Sequence, residues 1–206
     1  MIANEVDARA YCASLCDSAA MKRLDAFLPV LLEESSRQNL ISSSSLESVW
    51  QRHIADSLQL LEHVPRETLM WLDMGTGAGF PGLIVAMARP NIPIRLVESR
   101  KKRIAWLESV RNQFDLPNCE VLGSRLENVE TFAATVISGR AFAPLDRFIA
   151  LSARFSTPDT LWLLPKGRSA AQELAGQPAR VQKMFHVERS ATDPDAGLLI
   201  GRGKPR

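Results

Sequence analysis

The chain has 206 residues, 46% of them hydrophobic and 23% charged. That is the balance of a folded chain with a real core, and it excludes a disordered one. A net charge of +2 and a pI of about 8.6 are too mild to demand a nucleic-acid partner.

The first part, to about Arg66, reads as helical. Its N-terminus is polar, with Asn4, Glu5, Asp7 and Arg9, so no signal peptide is expected. Cys12, Cys16 and Cys119 form no pairable set. This fits a reducing, cytoplasmic setting and argues against zinc. Leu24, Phe27, Leu28, Leu31 and Leu32 recur at helical spacing and predict one buried face. The serine run Ser42–Ser45 reads as a turn. Ser44 and Glu47 match a capping box, which predicts a helix start there. Trp50, Ile54, Leu58 and Leu61 lie on the core face of that helix, with His53, Asp56 and Ser57 off it.

From Leu69 short apolar runs alternate with helical patterns. The expected strands are Leu69–Met74, Ile94–Val97, Glu120–Leu122, Ala134–Ser138 and Leu161–Leu164, with two more near Met184–Val187 and Leu198–Ile200. Helices are expected after Pro81, through Ile104 to Phe114, and over Leu145–Phe155. Such alternation predicts an α/β, doubly wound sheet. No apolar run reaches membrane-spanning length. Basic residues cluster at Arg100, Lys101, Lys102 and Arg103 and in the tail Gly201–Arg206, the latter read as a frayed terminus.

The stretch LDMGTGAGFPG, Leu72 to Gly82, carries two overlapping motifs. Gly77, Gly79 and Gly82 spell the fingerprint of a dinucleotide dehydrogenase. Asp73, Gly75, Gly77 and Gly79 spell that of an S-adenosylmethionine methyltransferase. In both, glycines let the backbone approach the ligand, and the acid ending the second strand, Glu98, binds ribose hydroxyls. Asp73 separates them. A buried carboxylate there holds the turn and suits the cationic aminoacyl end of S-adenosylmethionine, whereas a pyrophosphate in that place would be repelled. The long helical segment ahead of the first strand, and the lack of room for a separate substrate domain, favour the methyltransferase too.

Several separated motifs occur in order: Asn39-Leu40, His53 with Asp56-Ser57-Leu58, the loop ending Gly79-Phe80-Pro81-Gly82, Glu98-Ser99 with Lys102-Arg103, Arg125 with Glu127, Arg140-Ala141, and Lys166-Gly167. In these the chain resembles the bacterial 16S rRNA guanine-N7 methyltransferases, the glucose-inhibited division protein B family. It departs where Gly139 precedes Arg140-Ala141, and where Thr135 stands near a place such proteins often fill with Asp.

The resemblance implies a Rossmann-like, mostly parallel seven-stranded sheet with a reversed last strand. It implies residues 1–66 as a helical extension packed on a cofactor-binding core, 67–206, the whole forming one compact domain. The implied reaction is methyl transfer from S-adenosylmethionine to N7 of a guanine in small-subunit rRNA, naked or assembled, by a protein expected to be a monomer with no metal and no membrane contact. That nitrogen has a lone pair and no proton, so the chemistry needs alignment rather than a general base.

For the cofactor, Asp73, Gly75, Gly77, Gly79, Phe80 and Glu98 form the floor and ribose site. Leu126 and Glu127 meet the adenine end, with a plain core contact as the other reading of Leu126. Arg140 is a cofactor-site residue or a phosphate contact. Together with Lys166 and His53 it is expected at the reacting end. Lys166 is alternatively a solvated lysine, and His53 a packed structural residue. Arg100, Lys101, Lys102, Arg103 and Lys166 are the expected RNA contacts. The competing functions are a small-molecule methyltransferase on the same fold and a non-catalytic ribosome- or RNA-binding module.

Overall fold

The computed structural model describes residues 1–65 and 68–205. The boundary expected at residues 66/67 falls outside them. Helices α1 (Glu5–Leu15) and α2 (Ser18–Gln38) come first. Asn4 and Asp17 cap them, accepting from the Asp7 and Ala20 amides as short polar side chains do at helix starts. Asn39 ends α2 in the left-handed conformation, φ 49°, as a helix-terminating Asn can. Leu24, Phe27 and Leu31 are buried as expected, but Leu32 is exposed.

The capping box does not form. Ser44 and Glu47 lie inside a short 3-10 helix, Ser43–Ser48, which is followed by a π-helical turn, Trp50–Ala55, a single α turn, α3 (Asp56–Leu58), and a second 3-10 stretch, Gln59–His63. The cap comes from far away. The Glu5 carboxylate on α1 accepts from the Trp50 and Gln51 amides at 2.9 and 2.8 Å, meeting the orphan donors of that turn.

The sheet order is β3-β2-β1-β4-β5-β7-β6. Its strands are β1 (Trp71–Met74), β2 (Ile94–Val97), β3 (Cys119–Leu122), β4 (Ala134–Ser138), β5 (Ser156–Lys166), β6 (Phe185–Arg189) and β7 (Gly197–Arg202). The first five pair in parallel, and β7 runs antiparallel between β5 and β6. The doubly wound sheet with a reversed last strand is therefore present. β5 begins earlier than the apolar run, because the register shifts between Ala134 and Val136 and Thr160 Oγ1 bridges the gap to the Ala134 carbonyl. β1 starts two residues late, leaving Leu69 exposed. The tail is not frayed at its start. Arg202 ends β7, and Gly203 is pinned by its amide to Thr160 O and by its carbonyl to Trp162 Nε1.

Helices α4 (Gly82–Ala88), α5 (Lys101–Gln113), α6 (Leu145–Ser152), α7 (Ala170–Ala175) and α8 (Ala179–Gln182) complete the fold. The period-two alternation of strands splits the core. Trp71, Leu96, Val136 and Leu163 face one side, with α1, α2, α4 and α5. Leu72, Val97, Ile137 and Trp162 face the other, with α6. Both sheet faces are thus covered, as a parallel sheet requires. The N-terminal helices belong to the same apolar cluster as the sheet.

Candidate active site

The glycine loop leaves β1 at the sheet's C-terminal edge, where open α/β sheets bind ligands. Asp73 beneath it has no exposed surface. Its Oδ2 accepts from Thr76 Oγ1 at 2.5 Å and from the Gly82 amide at 3.1 Å, and its Oδ1 from Ser138 Oγ at 2.7 Å. Trp71 Nε1 donates to that serine at 2.7 Å. Burial pushes the Asp73 carboxyl up, while these hydrogen bonds and Arg140 pull it down. The expected hold on the turn is there. The other expectation, direct contact with an aminoacyl group, does not match a side chain sealed behind the loop.

Glu98 ends β2 with 5% exposure. Its Oε2 accepts from the Gly77 amide at 3.0 Å, and its Oε1 from the Ser99 and Arg100 amides at 2.7 and 2.9 Å. The same carboxylate therefore closes the loop and places an anion at the start of α5, offsetting the basic residues there. Gly77 has φ +59°, and a side chain on it would meet nothing closer than a carbonyl at 3.8 Å. Only glycine adopts that conformation freely, and the space above it is open. The open space over Gly77, beside the Glu98 carboxylate, leaves room for S-adenosylmethionine. Trp106 Nε1 secures the loop from behind by donating to Ala78 O. Leu126 is buried in the core and Glu127 is exposed, both in a 3-10 turn after β3.

Phe80, His53, Arg140 and Asp56 form one knot across four elements. Arg140 Nη1 donates to Asp56 Oδ2 at 3.1 Å and to Arg52 O at 3.0 Å, and Nη2 lies 3.0 Å from His53 Nδ1. The guanidinium also sits 4.9 Å from the Phe80 ring centre, and the His53 ring stacks on Phe80 at 4.9 Å. His53 Nε2 is 2.9 Å from Ser45 Oγ, whose own hydroxyl donates to Ser42 O. The network assigns the proton to Nε2. Asp56 Oδ1 accepts from Gln59 and Thr192. His53 lines a cleft at this edge of the sheet. Ser45, Thr192 and Ser138 were not expected here, since only the fold brings them to these partners.

Burial first, then Arg140 and Arg52, lowers the His53 pKa to about 3 from its ordinary 6.5. The neutral ring is favoured in the fold, so its contribution is complete above pH 6.5 and is lost as pH falls towards 3. A His53→Gln variant lacks this titration. The stability of wild type relative to the variant is expected to fall by roughly 1.4 kcal/mol per pH unit between those values. Urea unfolding of both at pH 7, 6, 5 and 4 checks it, and parallel curves would refute a buried neutral histidine.

The basic run does not point one way. Arg100, Lys101 and Lys102 are exposed. Arg103 turns inward, with Nη2 on Asn39 O at 2.7 Å and Nη1 buried without a partner among the described residues. Lys166 is no free surface lysine either. With a side chain only 9% exposed, it donates to Glu173 at 2.9 Å and to Ala143 O at 3.0 Å. Gly139, the departure before Arg140, has a spatial cause: a side chain there would strike the Phe148 ring at 2.5 Å. Thr135 accepts from the Met70 amide instead of offering a carboxylate to the site.

Between this knot and the ends of β4 and β5 opens a cleft of about 1120 Å³, lined by Ser45, His53, Asp56, Arg140, Phe142 and Lys166 among others. Among the described residues no cluster of His, Cys, Asp and Glu is arranged to hold a metal. No helix there is long and apolar enough to cross a membrane.

The family described as GidB, rRNA small subunit methyltransferase G, matches residues 20–193. A protein of Erythrobacter litoralis named ribosomal RNA small subunit methyltransferase G is 57% identical over the full length of both chains. One of the same name from Novosphingobium aromaticivorans is 50% identical, covering 98% of this chain and 89% of that protein. Among solved structures, a SAM dependent methyltransferase from Aquifex aeolicus superposes with a TM-score of 0.55 at 16% identity, over 82% of this chain and 96% of its own. A precorrin-6y methyltransferase from Geobacter metallireducens gives 0.52 at 13%, over 82% and 92%. These two share the fold alone. On the family match and the full-length relatives, the chain belongs to the GidB family of small-subunit rRNA methyltransferases.

Proposed function

We propose that this protein transfers the methyl group of S-adenosylmethionine to N7 of a guanine in 16S rRNA, as a cytoplasmic monomer and without a general base. The coarser activity, cofactor-dependent methylation of small-subunit rRNA, follows from the family to which the chain belongs. The N7 reading is supported by one observation: three bases beside the loop and the cleft are already occupied. His53 Nδ1 is taken by Arg140, Glu98 by three backbone amides, and Glu173 by Lys166 and Ser169. An acceptor with a lone pair and no proton needs no such base, only alignment and exclusion of water.

When bound, S-adenosylmethionine supplies an electrophilic methyl group on sulfur. Gly75, Gly77 and Gly79 form the backbone floor for it, with Phe80 at the wall. Glu98, at the end of β2, would take the ribose hydroxyls. Leu126 and Glu127 border the adenine end. Asp73 acts by shaping the loop. Arg140 and His53 fix the wall between floor and acceptor cleft. Lys166 holds the chain at Ala143 rather than an RNA phosphate.

Exposed Arg100, Lys101 and Lys102 meet the RNA backbone. Replacing Lys101 and Lys102 by Ala is expected to reduce the slope of log affinity against log salt by about 1 to 2, with cofactor affinity unchanged. Filter binding from 50 to 300 mM salt, roughly the range over which counterion release is read, measures it.

The direct test is transfer of labelled methyl to small subunits and to naked 16S rRNA, both from cells lacking the protein, followed by chemical cleavage at N7-methylguanine. One labelled guanine establishes donor, acceptor and atom. Cofactor bound but never transferred to RNA would favour a small-molecule acceptor, and no cofactor binding would leave a binding module.

A further inference from the structure

One large apolar side chain in the cleft has no part in holding the cofactor loop or the Arg140 knot. Phe142 is 36% exposed and lines the cleft beside Arg140 and Lys166. Its ring also reaches the cofactor floor: a Cβ on Gly75 would lie 2.1 Å from Phe142 Cδ2. The ring therefore stands where floor and acceptor cleft meet. Its aromatic neighbour is Phe148 of α6, met edge-on at 6.1 Å and 82°. A side chain packed only for the core would be covered, whereas over a third of this one faces the cleft.

The loop that carries Phe142 is held on both sides. Upstream, the Arg140 side chain is fixed by Asp56, Arg52 O and His53. Downstream, Lys166 Nζ donates to Ala143 O, and the Leu145 amide donates to Glu173 Oε2 at 3.1 Å. Glu173 also takes Lys166 at 2.9 Å and Ser169 at 2.8 Å. Between these anchors Ala141 adopts φ +52°. A residue with a Cβ keeps that conformation only where its surroundings enforce it, and such residues cluster at ligand sites. The Lys166–Glu173 pair thus has a use that a phosphate contact does not give it: it fixes the turn that presents the ring.

We propose that Phe142 is the platform on which the acceptor guanine stacks. The proposal rests on the N7 methyltransferase reading. A purine lying on this ring has its edge free to approach the floor side, where the methyl group must arrive. The lone pair of N7 forms the new N–C bond, the S–C pair returns to sulfur, and the positive charge passes to the purine. The face of an aromatic ring attracts a cation more than a neutral base. The stack therefore strengthens as the reaction proceeds, which is the kind of contact that raises kcat. Single unstacked RNA bases are commonly held by aromatic side chains in this way.

The test uses Phe142→Leu and Phe142→Tyr. Methyl transfer to small subunits from cells lacking the protein gives kcat and KM, and calorimetry gives affinity for S-adenosylmethionine. Leucine keeps the apolar contacts to Gly75 and Phe148 but no aromatic face. The Leu variant should lose roughly ten- to a hundredfold in kcat/KM, at least half of it in kcat on a logarithmic scale, while the Tyr variant stays within about threefold. Both should bind cofactor within about threefold of wild type, since stacking is not what holds it. A Leu variant as active as wild type, a loss confined to KM, or an equal loss of cofactor affinity overturns the platform. Wild-type protein that methylates no guanine N7 refutes the parent reading instead.

Discussion

An Asp73→Ala variant is expected to melt roughly 10 °C below wild type and to show no measurable binding of S-adenosylmethionine. The carboxylate collects Thr76 Oγ1, Ser138 Oγ and the Gly82 amide in a site with no exposure. Removing it strands Ser138 Oγ and the Gly82 amide, each costing about 1–3 kcal/mol where water cannot reach, and leaves Thr76 Oγ1 with the Asp73 carbonyl alone at 3.2 Å. In a domain of this size 1 kcal/mol moves the midpoint by about 2–4 °C. Binding fails because Thr76 and Gly82 bracket the glycine floor, and both lose the carboxylate that ties them to β1. Asp73→Asn makes a sharp contrast. Its oxygen can serve Thr76 and Gly82 while its amide donates to Ser138, leaving one hydroxyl hydrogen unplaced, so a loss of about 1–2 kcal/mol is expected with weakened but measurable binding. Calorimetric melting and titration of both variants test the account. An Ala variant with wild-type melting and binding would show that the loop does not depend on its acid.

The sheet and the loop were legible because they rest on local rules. Strand runs such as Ile94–Val97 and Ala134–Ser138 are short, apolar and bounded by turn residues, and both form as read. Asp73, Gly77 and Glu98 could be placed together because spacing along one β-α-β unit fixes their separation. What failed was long-range. Ser44 and Glu47 have the local form of a capping box, but the free amides of Trp50 and Gln51 are met by Glu5 from another helix, and the capped α-helix gives way to 3-10 and π turns. Nothing local distinguishes a serine in a run of four from one that hydrogen-bonds a histidine ring, as Ser45 does.

The basic side chains show the same limit. Arg103 and Lys166 looked like surface cations in the sequence. One turns under the loop to Asn39 O, and the other finds Glu173 on a later helix. A charge pattern gives the sign of a region, while the direction of each side chain depends on partners outside its own helix or strand. The exposure of the Phe142 ring has no local sign either, since exposure is a property of the packed chain.

Arg140→Ala should cost at least a hundredfold in kcat/KM, or about 2.7 kcal/mol in the transition state. Arg140 joins three things that must share one geometry. Asp56 and the Arg52 carbonyl belong to the N-terminal helical wall, Phe80 to the end of the glycine loop, and residues 141–145 to the turn beyond β4. With side-chain exposures of 23% and 16%, Arg140 and Asp56 are poorly screened by water. Loss of the arginine leaves the carboxylate with Gln59 and Thr192 but no counter-charge, worth about 3 kcal/mol of stability. Arg140→Lys should rescue little, because one ammonium cannot address Asp56, the Arg52 carbonyl and His53 Nδ1 from a planar fork. Asp56→Asn should lower activity in the same direction, and the double variant should lose less than the sum, with a coupling of about 1–3 kcal/mol. Chemical unfolding and single-turnover methyl transfer on all four variants measure both quantities. Additive losses from Arg140 and Asp56 would mean that the wall and the strand end are positioned separately, and a fully active Lys variant would mean that only the charge matters.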